Sequence, residues 1–114
     1  MVNWLTMKQK TKLFRQGDVL LRRLDSMPKG ISKPIPRDNG RIILAYGEVT
    51  GHAHGMDSPE CEMLQIEGVT VLDVKAAMAA LTHEEHATIE LPQGQYQVVI
   101  QREYTPTEIR RVAD

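Results

Sequence analysis

Turn-forming residues recur so often along this chain that no apolar run between them is long enough for a substantial helix. Gly17-Asp18, Asp25-Ser26, Asn39-Gly40, Gly47, Gly68 and Pro92-Gln93-Gly94 punctuate it, and Pro28, Gly30, Pro34 and Pro36 crowd into residues 25–40. Proline removes an amide donor, while Gly, Asn and Asp accept the backbone angles of tight turns. What lies between is of strand length and rich in β-branched residues: 18–24, 41–50, 61–66, 69–74, 87–91 and 95–104. In 41–50, Ile42, Leu44 and Tyr46 share one face and Ile43 and Ala45 the other, as expected near the centre of a sheet, with Gly47 as a bulge. Pro92-Gln93-Gly94 is expected to turn 87–91 into 95–104 as a hairpin. Residues 76–81 have a helix-favouring composition but are too few to hold a helix without packing. The reading is an all-β fold, a small antiparallel β-barrel or sandwich with at most one or two short helices.

A chain of 114 residues with 41% hydrophobic and 25% charged content suits one soluble globular domain, residues 1–114. Within it 1–13 reads as a basic N-terminal arm and 105–114 as a C-terminal extension bearing Arg110 and Arg111. Cys61 stands alone, which excludes an internal disulfide and any multi-cysteine metal site, and it reads as a small buried hydrophobe. No stretch approaches the roughly 20 apolar residues of a membrane span, and no secretory leader is visible, so a cytoplasmic location is expected. Charge is near balance overall, yet residues 1–57 hold ten Lys/Arg against five Asp/Glu and residues 58–114 hold four against ten.

The four histidines fall in two clusters, Gly51-His52-Ala53-His54-Gly55 and Thr82-His83-Glu84-Glu85-His86. Two apart on an extended segment, His52 and His54 point to one side. His83 and His86, three apart, become neighbours on a helical turn, the preferred geometry here, or across a hairpin tip formed by Glu84-Glu85. If the clusters meet, His52, His54, His83 and His86 make a divalent metal site, with Zn the first expectation and Ni, Fe, Mn or Cu also compatible with imidazole. Glu84 and Glu85 are the candidate acid–base groups, or orient a ring, and Glu60 is a further carboxylate. The spacing His83-Glu84-Glu85-His86 is not that of the zinc-protease His-Glu-x-x-His helix.

In order, Gly47, His52-Ala53-His54, Glu60 and Gly68 resemble the first block of the cupins, small β-barrels that often hold a metal with histidines. Leu91-Pro92-Gln93-Gly94 resembles the turn of the second cupin block, but Gln97 and Gln101 stand where that block carries its histidine and asparagine. The resemblance spans residues 47–101 and implies His52, His54 and Glu60 as ligands. Separately, His86-Ala87-Thr88 resembles one half of the two-histidine phosphoesterase motif, of which this chain has one copy; such metal-free chemistry would draw on Arg102, Glu103 or Tyr104.

Two functional classes follow. One is a metal-binding β-barrel protein acting on a small molecule, as a hydrolase if it is an enzyme. The other is a non-catalytic interaction or assembly module. There the basic first half meets an acidic partner, nucleic acid through Lys8, Lys10, Lys12, Lys29, Lys33 and Arg37, or the acidic half of a second copy in a homo-oligomer. Trp4 would anchor the arm to the body or to another subunit.

Overall fold

The computed structural model describes residues 11–47 and 49–101. Lys8, Lys10, Trp4, Arg102, Glu103, Tyr104, Arg110, Arg111 and the C-terminal extension lie outside the described residues. Eight strands are present among the described residues: β1 (Leu13–Gln16), β2 (Val19–Arg23), β3 (Ser32–Pro34), β4 (Ile42–Tyr46), β5 (Ala53–Met56), β6 (Cys61–Ile66), β7 (Val69–Leu81) and β8 (Ile89–Ile100). All pairings are antiparallel, in a six-stranded sheet of order β1-β2-β8-β7-β6-β3 and a two-stranded sheet of β4 and β5. The fold is all-β and sandwich-like. No closed barrel and no helix occur among the described residues, and no helix there is long and apolar enough to cross a membrane.

Strand alternation sorts the side chains into two cores. Cys61 and Met63 of β6 and Leu72 and Val74 of β7 join Leu21, Leu81, Leu91, Tyr96 and Val98, and Ile42, Leu44 and Met56 of the small sheet close over them. The alternate residues Leu64, Ile66 and Val71 make a second cluster, covered by Leu24 and Val69. The β6–β7 region is therefore apolar on both sides, which is why 61–66 reads as a strand with hydrophobes in both phases.

Two local expectations are corrected. Residues 76–81 are strand, the outer half of β7: Ala79, Ala80 and Leu81 pair with Leu91, Glu90 and Ile89, and Ala79 and Leu81 are buried while Ala80 is exposed. The ladder from Met78 to Leu81 overrides the helix preference of alanine over so short a stretch. Nor does Pro92-Gln93-Gly94 make a hairpin, because β8 runs straight through it. The mismatch is taken up on β7, where residues 75–77 bulge opposite Gln93 between the Val74–Gly94 and Met78–Pro92 pairs. Pro92 lies beyond the β2 pairing, where β8 has only β7 beside it, so no second ladder needs its missing amide. The guanidinium of Arg23 fills the space above Gly94 and donates to Gln93 O at 2.8 Å.

Strand 41–50 sits in the small sheet, not at the centre of a large one. Its bulge lies between Ile43 and Ala45, before Gly47, and leaves Tyr46 exposed although Ile42 and Leu44 are buried. The proline-rich connection contributes only the exposed edge strand β3. It is fixed by Arg37, which donates to the carbonyls of Gly40 (2.9 Å), Ser58 (2.5 Å) and Cys61 (2.8 Å). Lys12 joins the β1–β2 ladder through its carbonyl, which accepts from Arg23 N.

Tyr96 is fully buried with its ring edge-on to Phe14, and its hydroxyl donates to Pro92 O (2.6 Å) and accepts from Arg23 Nη2 (2.9 Å). Tyr96→Phe leaves both partners short of a bond in a dry setting. We expect a loss of about 1–3 kcal/mol in urea unfolding with an unchanged m-value; an unchanged midpoint would show that the hydroxyl is dispensable.

Candidate metal centre

The two histidine clusters meet because β5 zips onto the far end of β7. Gly55 and Thr82 form an antiparallel bridge, with Gly55 N donating to Thr82 O (3.0 Å) and Thr82 N to Gly55 O (2.9 Å). Continuing that register outward sets His54 opposite His83, Ala53 opposite Glu84 and His52 opposite Glu85. All three pairs are in contact: the His54 and His83 rings are 4.3 Å apart between centroids, Ala53 N donates to Glu84 Oε1 at 2.9 Å, and His52 Nδ1 lies 3.3 Å from Glu85 Oε2. The crossing leaves no room for a side chain, since a Cβ on Gly55 would come within 2.9 Å of Ile42 O and 3.0 Å of Arg41 Nη2. Arg41 clamps it from outside, donating to Thr82 Oγ1 and pairing with Asp57.

His83 and the bend Glu84, Glu85 and His86 lie in the β7–β8 connection, residues 82–88, neither a helical turn nor a two-residue tip. The wider loop still brings His83 and His86 together, with centroids 4.7 Å apart, and His86 stacks at 5.7 Å on His54. His52 meets the other rings at His83, edge-on at 5.8 Å. Donor atoms of His54, His83 and His86 lie within 4.8 Å of one another, and so do those of His52, His83 and Glu84. The four rings line an open cleft of about 610 Å³. Glu60 does not line it; that residue is exposed in the turn before β6, where its carbonyl accepts from Lys75 N.

The β1–β2 hairpin supplies three groups that the histidine pattern does not reveal. Gln16, buried at the end of β1, donates from Nε2 to Leu81 O (2.8 Å) and Ala87 O (3.0 Å) and presents Oε1 to His54 Nδ1 at 2.8 Å. Two carbonyls fix which way the amide faces, so Nδ1 of His54 must carry the proton and Nε2 carries a lone pair. That lone pair faces Asp18 Oδ1 at 3.4 Å. Between them, Gly17 holds φ +59° and lies so close that a Cβ there would sit 2.7 Å from His86 Nε2. The signal for Gly17 and Asp18 was the Gly-Asp pair, a hairpin tip joining Gln16 to its partner Val19; nothing in the sequence singled out Gln16.

Electrostatics follow from this packing. Burial, with the neighbouring His83 and His86, pushes the pKa of His54 below the ordinary imidazole value, against the pull of Asp18. The Ala53 amide, then the Glu84 amide and the nearby imidazoles, hold the Glu84 carboxyl below its usual range. Glu84 therefore braces the loop against β5, whereas Glu85 stands at the rim of the cleft, mostly exposed. His83 Nδ1 accepts from Glu85 N at 3.0 Å, so the neutral ring carries its proton on Nε2.

Residues 15–101 match the family described as a domain of unknown function, DUF8820, and the chain belongs to that family. No curated protein and no solved structure matches it.

Two outcomes test this geometry. Gln16→Leu strands Leu81 O and the His54 N–H in a buried setting and Ala87 O in a partly buried one, and is expected to lower stability by about 2–4 kcal/mol in urea unfolding; a loss below ~0.5 kcal/mol would contradict the three hydrogen bonds. The lowered pKa of His54 means that the unfolded chain binds a proton before the folded one does, so stability rises with pH across that interval. In chelator, the unfolding midpoint should be fully developed above about pH 6.5 and fall as pH drops below it. This acid slope should flatten in His54→Gln, and an equal slope in the variant would refute the assignment.

Proposed function

We propose that this member of the DUF8820 family binds a divalent metal ion, Zn²⁺ foremost, through His54, His83 and His86, and that the open cleft is a hydrolytic site. The observation that carries the reading is the pair His54 Nε2 and Asp18 Oδ1, two acceptors 3.4 Å apart, one of them nearly buried. Facing lone pairs at that distance require a cation between them or beside them. Burial and two neighbouring imidazoles disfavour a proton on His54, which leaves a metal ion as the better occupant.

The donor set suits such an ion. Three imidazoles with a carboxylate at hand are borderline-soft nitrogen ligands of the kind Zn²⁺ takes, and the cleft side is free for water or substrate. Gln16 acts on His54 as carboxylates and carbonyls act on ligand histidines elsewhere, fixing the tautomer and the ring plane. To offer a ring nitrogen to the ion, His83 would give up the bond from the Glu85 amide, either by ligating through Nδ1 or by moving its proton there and ligating through Nε2. A bound divalent ion supplies Lewis acidity and lowers the pKa of water at neutral pH. Glu85 is placed to hold and return the proton, being exposed at the rim within reach of His52. A small ester, amide or phosphate is the substrate class that a cleft of about 610 Å³ admits.

The test uses the full chain without a histidine tag, stripped with chelator and titrated with Zn²⁺ against a chromophoric competitor. We expect a dissociation constant below ~1 μM and a weakening of at least about tenfold in His86→Ala, whose ring is exposed and expendable for folding. Chromogenic ester and phosphate hydrolysis should require the metal and fall ~100-fold or more in Glu85→Gln. Absence of sub-millimolar Zn²⁺ binding would overturn the proposal.

A further inference from the structure

The His54, His83 and His86 set uses one side of the ring cluster, and it leaves His52 unexplained. Nδ1 of His52 is buried and makes no hydrogen bond. The nearest charged atom, Glu85 Oε2, lies 3.3 Å away but out of hydrogen-bond alignment. Orphaned ring nitrogens are rare, because each forfeits its bond to water on burial. Beside the His52 ring stand His83, edge-on, and Glu84, and one donor atom of each of the three falls inside the 4.8 Å limit of a ligand group. Glu84 gives Oε1 to the Ala53 amide.

We propose that the ring cluster holds a second divalent cation, carried by His52 and Glu84, with His83 losing its ring proton to solvent and offering one nitrogen to each of the two positions. This rests on the metal reading above and extends it from a mononuclear to a binuclear centre. His83 touches His54 and His86 on one hand and His52 on the other, which is the placement a shared ligand needs. Charge agrees. Three carboxylates, Asp18, Glu84 and Glu85, stand among the four imidazoles. With His83 as imidazolate, one divalent ion leaves that group net negative, whereas two bring it to neutrality.

Stoichiometry decides the matter. The stripped, untagged full chain is dialysed to equilibrium against buffered Zn²⁺ and its metal content measured, with circular dichroism to verify the β-fold of each variant. Two equivalents per chain are expected. His52→Ala should retain one equivalent at unchanged affinity, while Glu84→Gln, which keeps an acceptor for Ala53 N, should weaken the second equivalent at least tenfold and spare the first. If His52→Ala fails to fold, Glu84→Gln alone carries the comparison. A single equivalent in the unmutated protein, unaffected by Glu84→Gln, would overturn the second position and leave the first standing. No bound metal at all would remove both.

Discussion

The Gly55–Thr82 bridge is the interaction on which the site depends. One pair of backbone hydrogen bonds joins the small sheet to the end of the longest strand, and the register it sets carries three further residues of each cluster into apposition. The bridge forms because Gly55 has no side chain, in a space bounded by a backbone carbonyl and the Arg41 guanidinium. A one-residue slip would turn His54 away from His83 and toward the opposite face, since strand side chains alternate. Closure between segments almost thirty residues apart thus reduces to a single pairing between two strands already held by the core.

Most of the strand pattern was legible in the residues themselves. Alternation identified 61–66 and 69–74, and turn residues bounded 18–24. Where the reading failed, a longer-range partner prevailed over local preference. Ala76–Leu81 reads as helix in isolation, but β8 lies alongside it and pairs with Met78 to Leu81. Pro92-Gln93-Gly94 reads as a turn, but the strain of passing it is absorbed three residues wide on the neighbouring strand, where no sequence signal marks it. The histidine pairs announced themselves by their clustering. Gln16 did not, because a glutamine in a strand is unremarkable until two carbonyls from elsewhere in the chain fix its amide.

The charge asymmetry of the sequence also takes on a different meaning in three dimensions. Several cations of the basic half are spent inside the fold: Arg37 ties three carbonyls, Arg23 crosses Gly94 to Gln93 and Tyr96, and Arg41 closes on Asp57 and Thr82. They act as staples across irregular backbone. Lys29 and Lys33 stay exposed on or near the β3 edge, where charge discourages further strand pairing.

The connection between β7 and β8 joins residues that pair directly, Leu81 with Ile89, and a two-residue link would close that ladder. Stretching such a link to the length of 82–88 costs only about 1 kcal/mol in closure entropy. The span of this segment is therefore almost invisible to folding thermodynamics, and its length and composition are free to vary. Relatives should differ there first, on an unchanged scaffold.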